Sequence, residues 1–332
     1  MQKDVEEAME KIRTQKPIVA ICYDFDKTLS PDDMQTFTLI PSLDMDKDTF
    51  WKESNDLAIA NLMDKNLAWM QKLVVESKAK RKKLNREYFH DIGKDIKLFK
   101  GVKTWFKRIN EYGERHGVEV QHYIISSGLK ELVEGTPIAG EFKRIYASSY
   151  LYDADEVAEW PAQAVNYTNK TQFLFRIAKG KFEEYDESVN ESMSDDELYI
   201  PYQNIVYIGD SDTDIPCMRL VKSKGGYSIG VFDPQNDKRD KVYGLISDGR
   251  IDYYAPADYT AKSQLNTLIC EIIDSVATKS KLKQENAALR LLASPYQLYK
   301  GMAAMLEMKP KATKKDKQML EQIKTLIDGN VD

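Results

Sequence analysis

Two carboxylates, Asp24 and Asp26, stand one residue apart where the apolar run Ile18-Val19-Ala20-Ile21-Cys22-Tyr23 stops, and Lys27 and Thr28 follow them. Carboxylates this close repel one another unless a cation or a shared proton compensates. The pair therefore reads either as a metal site with an Asp nucleophile or as an acidic turn after a strand, since Asp is common in turns. Three later stretches bear on that choice. Ser126 follows Tyr123-Ile124-Ile125 and precedes Ser127-Gly128, Lys170 follows Thr168-Asn169, and Gly209-Asp210-Ser211-Asp212-Thr213-Asp214 follows Ile205-Val206-Tyr207-Ile208. Several acids can hold Mg2+, a hard cation that takes oxygen ligands. A hydroxyl and a Lys suit a phosphate group. A carboxylate can attack phosphorus, and a second can give a proton to the leaving oxygen and later take one from water.

These residues need strands and helix starts to hold them. The run Ile18–Tyr23 is short, apolar and rich in β-branched residues, as a buried strand is. Alternation along it would send Asp24 and Asp26 to one side and Phe25 to the other. Ser30-Pro31-Asp32-Asp33 breaks the strand. From Asp46 to Ala79, Phe50, Leu57, Ala60, Leu67, Met70 and Val74 recur at helical spacing, with Asp46 or Asp48 as cap. Asn85 caps a second helix through Phe89 and Ile92 that stops near Gly93. The basic run from Lys78 to Lys83 reads as a solvated helix end rather than a nucleic-acid patch. A helix follows Gly101, with Val102, Trp105, Phe106 and Ile109 inward.

Further strands are expected at Val118–Ser126, Arg144–Leu151, Ile205–Asp210 and Tyr227–Val231, with a helix from Lys170 to Ala178. His122, inside a strand, reads as a packed or surface histidine, not a ligand. The acidic stretch 181–197 reads as a solvated, mobile loop. A helical stripe of Leu265, Leu268, Ile269, Ile272 and Val276 follows Tyr259, and a lysine-rich stretch from Lys309 to Lys317 leads into a short amphipathic helix ending at Ile327. At the other end, residues 1–16 read as an amphipathic helix with Val5, Met9 and Ile12 on one stripe, laid over the edge of the core. Strands alternating with helices imply a mostly parallel sheet covered on both faces.

The bulk numbers narrow the class. A chain of 332 residues with 42% hydrophobic and 30% charged residues can bury an ordinary core. A net charge of −5 argues against a nucleic-acid partner. The three cysteines lie far apart with no Cys-x-x-Cys spacing, which points away from zinc and disulfides and fits a reducing cytoplasm. The charged N-terminus has no apolar signal region, and no apolar run approaches a membrane span.

Taken in order, the four stretches resemble the haloacid dehalogenase superfamily, in its phosphatase branch. Asp24-x-Asp26-x-Thr28 matches the first motif, Ser126 the hydroxyl motif, Lys170 the basic motif and Gly209-Asp210-x-x-x-Asp214 the acidic motif, together covering roughly residues 17–260. The resemblance implies a Rossmann-like α/β/α core from 1–30 and 98–262, an α-helical cap at 31–97 and a helical C-terminal extension at 263–332. It implies Asp24 as nucleophile and metal ligand, and Asp26 as general acid/base that also offers a carbonyl to the metal. Thr28 orients the first loop at the phosphate site. Ser126, preferred to Ser127 because it directly follows the apolar strand, binds the phosphoryl group together with Lys170. Asp210 ligates Mg2+ and Asp214 binds or positions it, directly or through water, with Asp212 as a turn acid.

Asp26 points to phosphate esters, because dehalogenases lack this second Asp and the ion-pumping members carry Thr there. The implied reaction is Mg2+-dependent hydrolysis of a small phosphorylated metabolite in the cytoplasm. A phosphotransferase or mutase, or a non-catalytic binding protein on the same fold, are the alternatives. The layout is similar to phosphoserine phosphatases, with two departures. Lys27 replaces a small residue, and Asp33 stands where a Glu reads the substrate amine, which makes Asp33 the candidate specificity residue. The tail reads as a packing element, against the core or against a second copy in a homo-oligomer.

Overall fold

The computed structural model describes residues 9–235, 239–308 and 313–328. The chain divides into two compact units, Ile18–Asp274 and a smaller one made by Met1–Pro17 with Ser275–Asp332. In the larger unit, a seven-stranded sheet runs in the order β4-β3-β2-β1-β5-β6-β7. Its strands are β1 Ile18–Tyr23, β2 Glu119–Leu129, β3 Arg144–Tyr152, β4 Ala158–Gln163, β5 Ile205–Gly209, β6 Tyr227–Phe232 and β7 Tyr253–Pro256. All pairings are parallel except β3 with β4.

The runs Ile-Val-Ala-Ile-Cys-Tyr of β1 and Ile-Val-Tyr-Ile-Gly of β5 are almost wholly buried, as expected of strands covered on both faces. On one face, Cys22, Tyr123 and Tyr207 pack against Phe173, Leu174 and Ile177 of the helix Lys170–Lys179 and Met218 of the helix Ile215–Ser223. On the other face lies the helix Val102–Arg115, which buries Val102, Trp105, Phe106 and Ile109. From β1 the chain builds outward through β2, β3 and β4 to one side, then returns to place β5, β6 and β7 on the other. Order reverses at β1, and the carboxyl ends of β1 and β5 flank the crevice where open α/β sheets bind ligands.

The segment 31–97 contains no strand; its one ladder contact among the described residues is the bridge between Asn85 and Val157. The expected single helix from Asp46 to Ala79 is two helices, Lys47–Asn61 and Lys65–Ala79. Leu62 takes the left-handed conformation at φ 53° and ends the first. The side chain of Asp64 then accepts from the amides of Asn66 and Leu67 and starts the second, a cap hidden inside an unbroken apolar period. Asp46 and Asn85 cap their helices through the amides of Thr49 and Tyr88.

Among the elements not expected are the edge strand β4, the short β7 and the helices Lys130–Gly135, Ile215–Ser223 and Arg239–Ser247. β4 escapes notice because Trp160-Pro161 interrupts its alternation, and a proline is tolerated only at such an edge. The acidic stretch 181–197 is largely solvated, with its first half bonded to the preceding helix. The Arg176 guanidinium donates to the carbonyls of Glu183, Glu184 and Asp186, and the Lys179 ammonium to those of Val189 and Glu191.

In the smaller unit residues 9–14 are helical, and Val5 lies outside the described residues. Arg13 makes a two-pronged ion pair with Glu285, at 3.0 and 2.9 Å, on the long helix Gln264–Glu307. A last helix spans Lys314–Asp328, and the lysine-rich stretch before it lies partly outside the described residues. Among the described residues no helix is long and apolar enough to cross a membrane.

Candidate active site

Asp24 is the first residue beyond β1, and its amide still donates to the Ile208 carbonyl of β5 at 2.9 Å. Asp24 is buried, its side chain 7% exposed. The Lys170 ammonium, at the first turn of its helix and fully buried, donates to Asp24 Oδ1 at 2.9 Å and to Asp214 Oδ1 at 2.8 Å. Asp214 is saturated. Its Oδ1 also accepts the Tyr207 hydroxyl at 2.8 Å, and its Oδ2 accepts the Ser211 amide and hydroxyl at 3.2 and 3.0 Å. Gly209 makes this possible, because a Cβ there would sit 2.6 Å from the Asp214 carboxyl.

Asp24, Asp210 and Asp214 each offer an oxygen, and these three atoms lie within 4.8 Å of one another. Burial pushes the Asp24 carboxyl up to about 6 even though Lys170 pulls against it. Burial, then Asp214 and Asp24, push Asp210 well above the usual carboxylate range. Burial opposes the Lys170 charge, but Asp214 and Asp24 outweigh it and hold the ammonium protonated. The cluster has more carboxylate oxygen than donors to satisfy it, and an oxygen-liganded divalent cation would relieve that excess. Asp24 and Asp210 have oxygens left to offer one. Asp214, with both oxygens bonded, stands behind them.

Asp26 lies beyond the end of β1, so strand alternation does not orient it. The loop does. The amides of Thr28, Leu29 and Ser30 converge on the Phe25 carbonyl at 3.3, 2.8 and 3.1 Å. This tight turn, with Lys27 at φ 57°, leaves both Asp24 and Asp26 in the wall of one cavity. The Met34 amide donates to Asp26 Oδ1 at 2.8 Å, and a side chain at Gly128 would press on Asp26 Oδ2 from 3.1 Å. Burial raises the Asp26 carboxyl well above its usual value, with Asp33 and Asp24 adding to it.

Thr28 and Ser126 are fully buried and lie outside the cavity lining, whereas Ser127 is in it. The Tyr259 hydroxyl holds the Thr28 carbonyl at 2.8 Å, and Ser126 Oγ accepts the Gly128 amide at 3.0 Å. Ser127 Oγ is buried with no hydrogen-bond partner among the described residues. The preference for Ser126 rested on its directly following the apolar run, but β2 continues through both serines to Leu129 and its register with β3 shifts between Ile125 and Leu129.

The cavity measures about 1210 Å3. Asp33 lines it, but it is not free: it accepts the Lys27 ammonium at 2.7 Å. The two departures from the phosphoserine-phosphatase pattern thus neutralise each other. Sequence reasoning missed Lys65 and Asn66 at the start of the helix Lys65–Ala79, Asn166 and Tyr167 before Lys170, and Lys241. Asn166 carried a readable signal. Its side chain accepts the amides of Thr168 and Asn169, the Asn turn that launches the Lys170 helix. Asp212 stays outside the acid cluster and pairs with Lys241 at 3.4 Å.

An uncharacterized protein of Borreliella burgdorferi is 26% identical over 282 residues, 77% of this chain and 96% of that protein. Among solved structures, a HAD-family hydrolase from Salmonella enterica serovar Typhi aligns with a TM-score of 0.49 at 15% identity, covering 76% of this chain and 70% of that one. A substrate-bound phosphoserine phosphatase aligns with a TM-score of 0.48 at 16% identity, covering 77% and 98%. The sequence pattern of the haloacid dehalogenase-like hydrolases matches residues 21–219. That span is more than half of the chain and runs from inside β1 past the Asp210–Asp214 loop, so this protein belongs to the haloacid dehalogenase-like hydrolase family.

Proposed function

We propose that this protein is a Mg2+-dependent phosphomonoesterase that works through an aspartyl-phosphate on Asp24. The observation that carries this reading is the Lys170 ammonium buried between Asp24 and Asp214, with Asp210 in the same cluster and Asp26 in the same wall. Lys170 occupies Asp24 Oδ1, which leaves Oδ2 to attack phosphorus. Ser127 Oγ and Lys170 hold the phosphoryl oxygens. Asp26, kept protonated by its surroundings, gives its proton to the departing alkoxide. It then takes a proton from the water that attacks the aspartyl-phosphate, and inorganic phosphate leaves. A Mg2+ held by Asp24 and Asp210, with Asp214 behind them, would neutralise the charge gathered on the transferring group. Residues 31–97 act as a cap that shields the reaction from water and selects the substrate.

The test is turnover of an aryl phosphate. It is expected to stop with a chelator, return with Mg2+ and vanish in Asp24→Asn. In Asp26→Ala the first step partly survives and the second slows, so a phosphoryl adduct on Asp24 should appear by mass spectrometry. Added alcohols should leave inorganic phosphate as the main product. Undiminished turnover in Asp24→Asn, or an adduct on another residue, would overturn the mechanism.

A further inference from the structure

The acids on the non-reacting half of the cavity are all engaged. Asp33 accepts Lys27, and Asp32 accepts the Lys47 ammonium at 2.6 Å and the Asp33 amide at 2.9 Å. Asp64 caps its helix through one oxygen and accepts the Asn166 amide group on the other at 2.9 Å. Asp233 accepts the Gln235 amide at 2.9 Å. Two lining donors, the Lys65 ammonium and the Tyr167 hydroxyl, have no acceptor among the described residues.

These two donors flank one clasp. Asn66 of the cap donates to the Val165 carbonyl at 2.5 Å, while Asn166 of the core donates to Asp64 of the cap. The two bonds hold 64–66 against 165–167 and bring Lys65 and Tyr167 to the same stretch of wall. Lys65 is exposed, and Tyr167 is 57% exposed, so both can meet a ligand without breaking a bond.

We propose that the substrate is a phosphate monoester whose far end is a second anion, a carboxylate or another phosphate, received by Lys65 and Tyr167. An ammonium at that end would face Lys65, while Asp33 and Asp32 already pair with Lys27 and Lys47. Both donors suit oxygen acceptors, and bonds from an ammonium to an anion are the stronger kind. This deepens the phosphomonoesterase reading and rests on it.

The experiment uses alkyl phosphates of two to four carbons that end in methyl, ammonium, carboxylate or a second phosphate. kcat/KM is expected to favour the anionic ends over methyl by about tenfold or more, with ammonium last. The ratio should fall towards one in Lys65→Gln and drop in Tyr167→Phe. Comparing the carboxylate and bisphosphate series identifies which anion is read. Calorimetric binding of the same esters to Asp24→Asn should give the same ranking without turnover. A preference for ammonium or methyl, or an unchanged ratio in both variants, would overturn the proposal. Failure of aryl phosphate turnover with the binding ranking intact would instead overturn the hydrolase reading alone.

Discussion

Two buried polar networks occupy opposite faces of the same sheet and diverge at one peptide of β1. On one face Tyr23 receives the Trp105 indole at 2.8 Å and bonds His122 Nδ1 at 3.0 Å, while His122 Nε2 bonds Asn110 at 2.9 Å. With the proton on Nε2, as the Asn110 carbonyl requires, each of these donors has an acceptor and no charge is needed. On the other face, Asp24 begins a network in which Lys170 serves two carboxylates while Asp210 and Asp26 crowd in beside them. The first network closes on itself and lines no part of the large cavity. The second opens into it and is left short of positive charge. Buried polarity is therefore common to scaffold and site. Uncompensated charge facing a cavity is what separates them.

The comparison breaks first at Lys170. Lys170→Met leaves Asp24 and Asp214 buried without a cation, and removing one partner of such a pair costs about 3–5 kcal/mol. Urea unfolding should show this, and a loss below about 1 kcal/mol would mean that the carboxylates re-pair or take protons cheaply. Tyr207→Phe withdraws one neutral donor from the same Asp214 oxygen. A bond to a charged group is worth about 1.5–3 kcal/mol, so the loss should be smaller than for Lys170 but measurable by the same denaturation. No loss would show that Lys170 and Ser211 satisfy Asp214 by themselves.

The neutral network predicts a pH signature. Burial lowers the His122 pKa from 6.5 to about 3. Folded protein then refuses a proton that the unfolded chain accepts, so the contribution of His122 is complete above pH 6.5 and drains away as pH falls towards 3. The slope is about 1.4 kcal/mol per pH unit at most. Raised carboxyls at the site act in the opposite sense, so the readout is the difference between wild type and His122→Gln across pH 4 to 7. The wild type should lose ground to the variant as pH drops, and a flat difference would remove His122 from the account.

The smallest stability change belongs to the cavity rim. Lys27 and Asp33 are partly solvated, and such pairs contribute about 0.2–1 kcal/mol. Lys27→Ala should barely move the unfolding midpoint, yet it frees the Asp33 carboxylate to meet a cationic substrate end. Its kcat/KM for an ammonium-ended ester should rise relative to a carboxylate-ended one. A stability loss as large as that of Lys170→Met would mean that rim and buried cluster are not distinct.

Much of this was legible before folding. The apolar runs at β1 and β5, each ending in an acid, announced a buried parallel sheet with carboxylates at its active edge, because strands covered on both faces have no polar positions to spare. Lys170 was findable as the start of an amphipathic helix, and residues 31–97 as a long helical segment without strands. Tertiary structure alone decided what local rules cannot reach. Its place directly after the apolar run favoured Ser126, but the folded β2, irregular against β3, has Ser127 in the wall. Local spacing could not show that Lys27 would reach across to Asp33, or that Asp64 and Asn166, far apart in the chain, would bond to each other. A period of 3.6 or 2 tells which face a residue takes within its own element. Which residues of other elements it meets there depends on the crossings and loops that the whole fold sets.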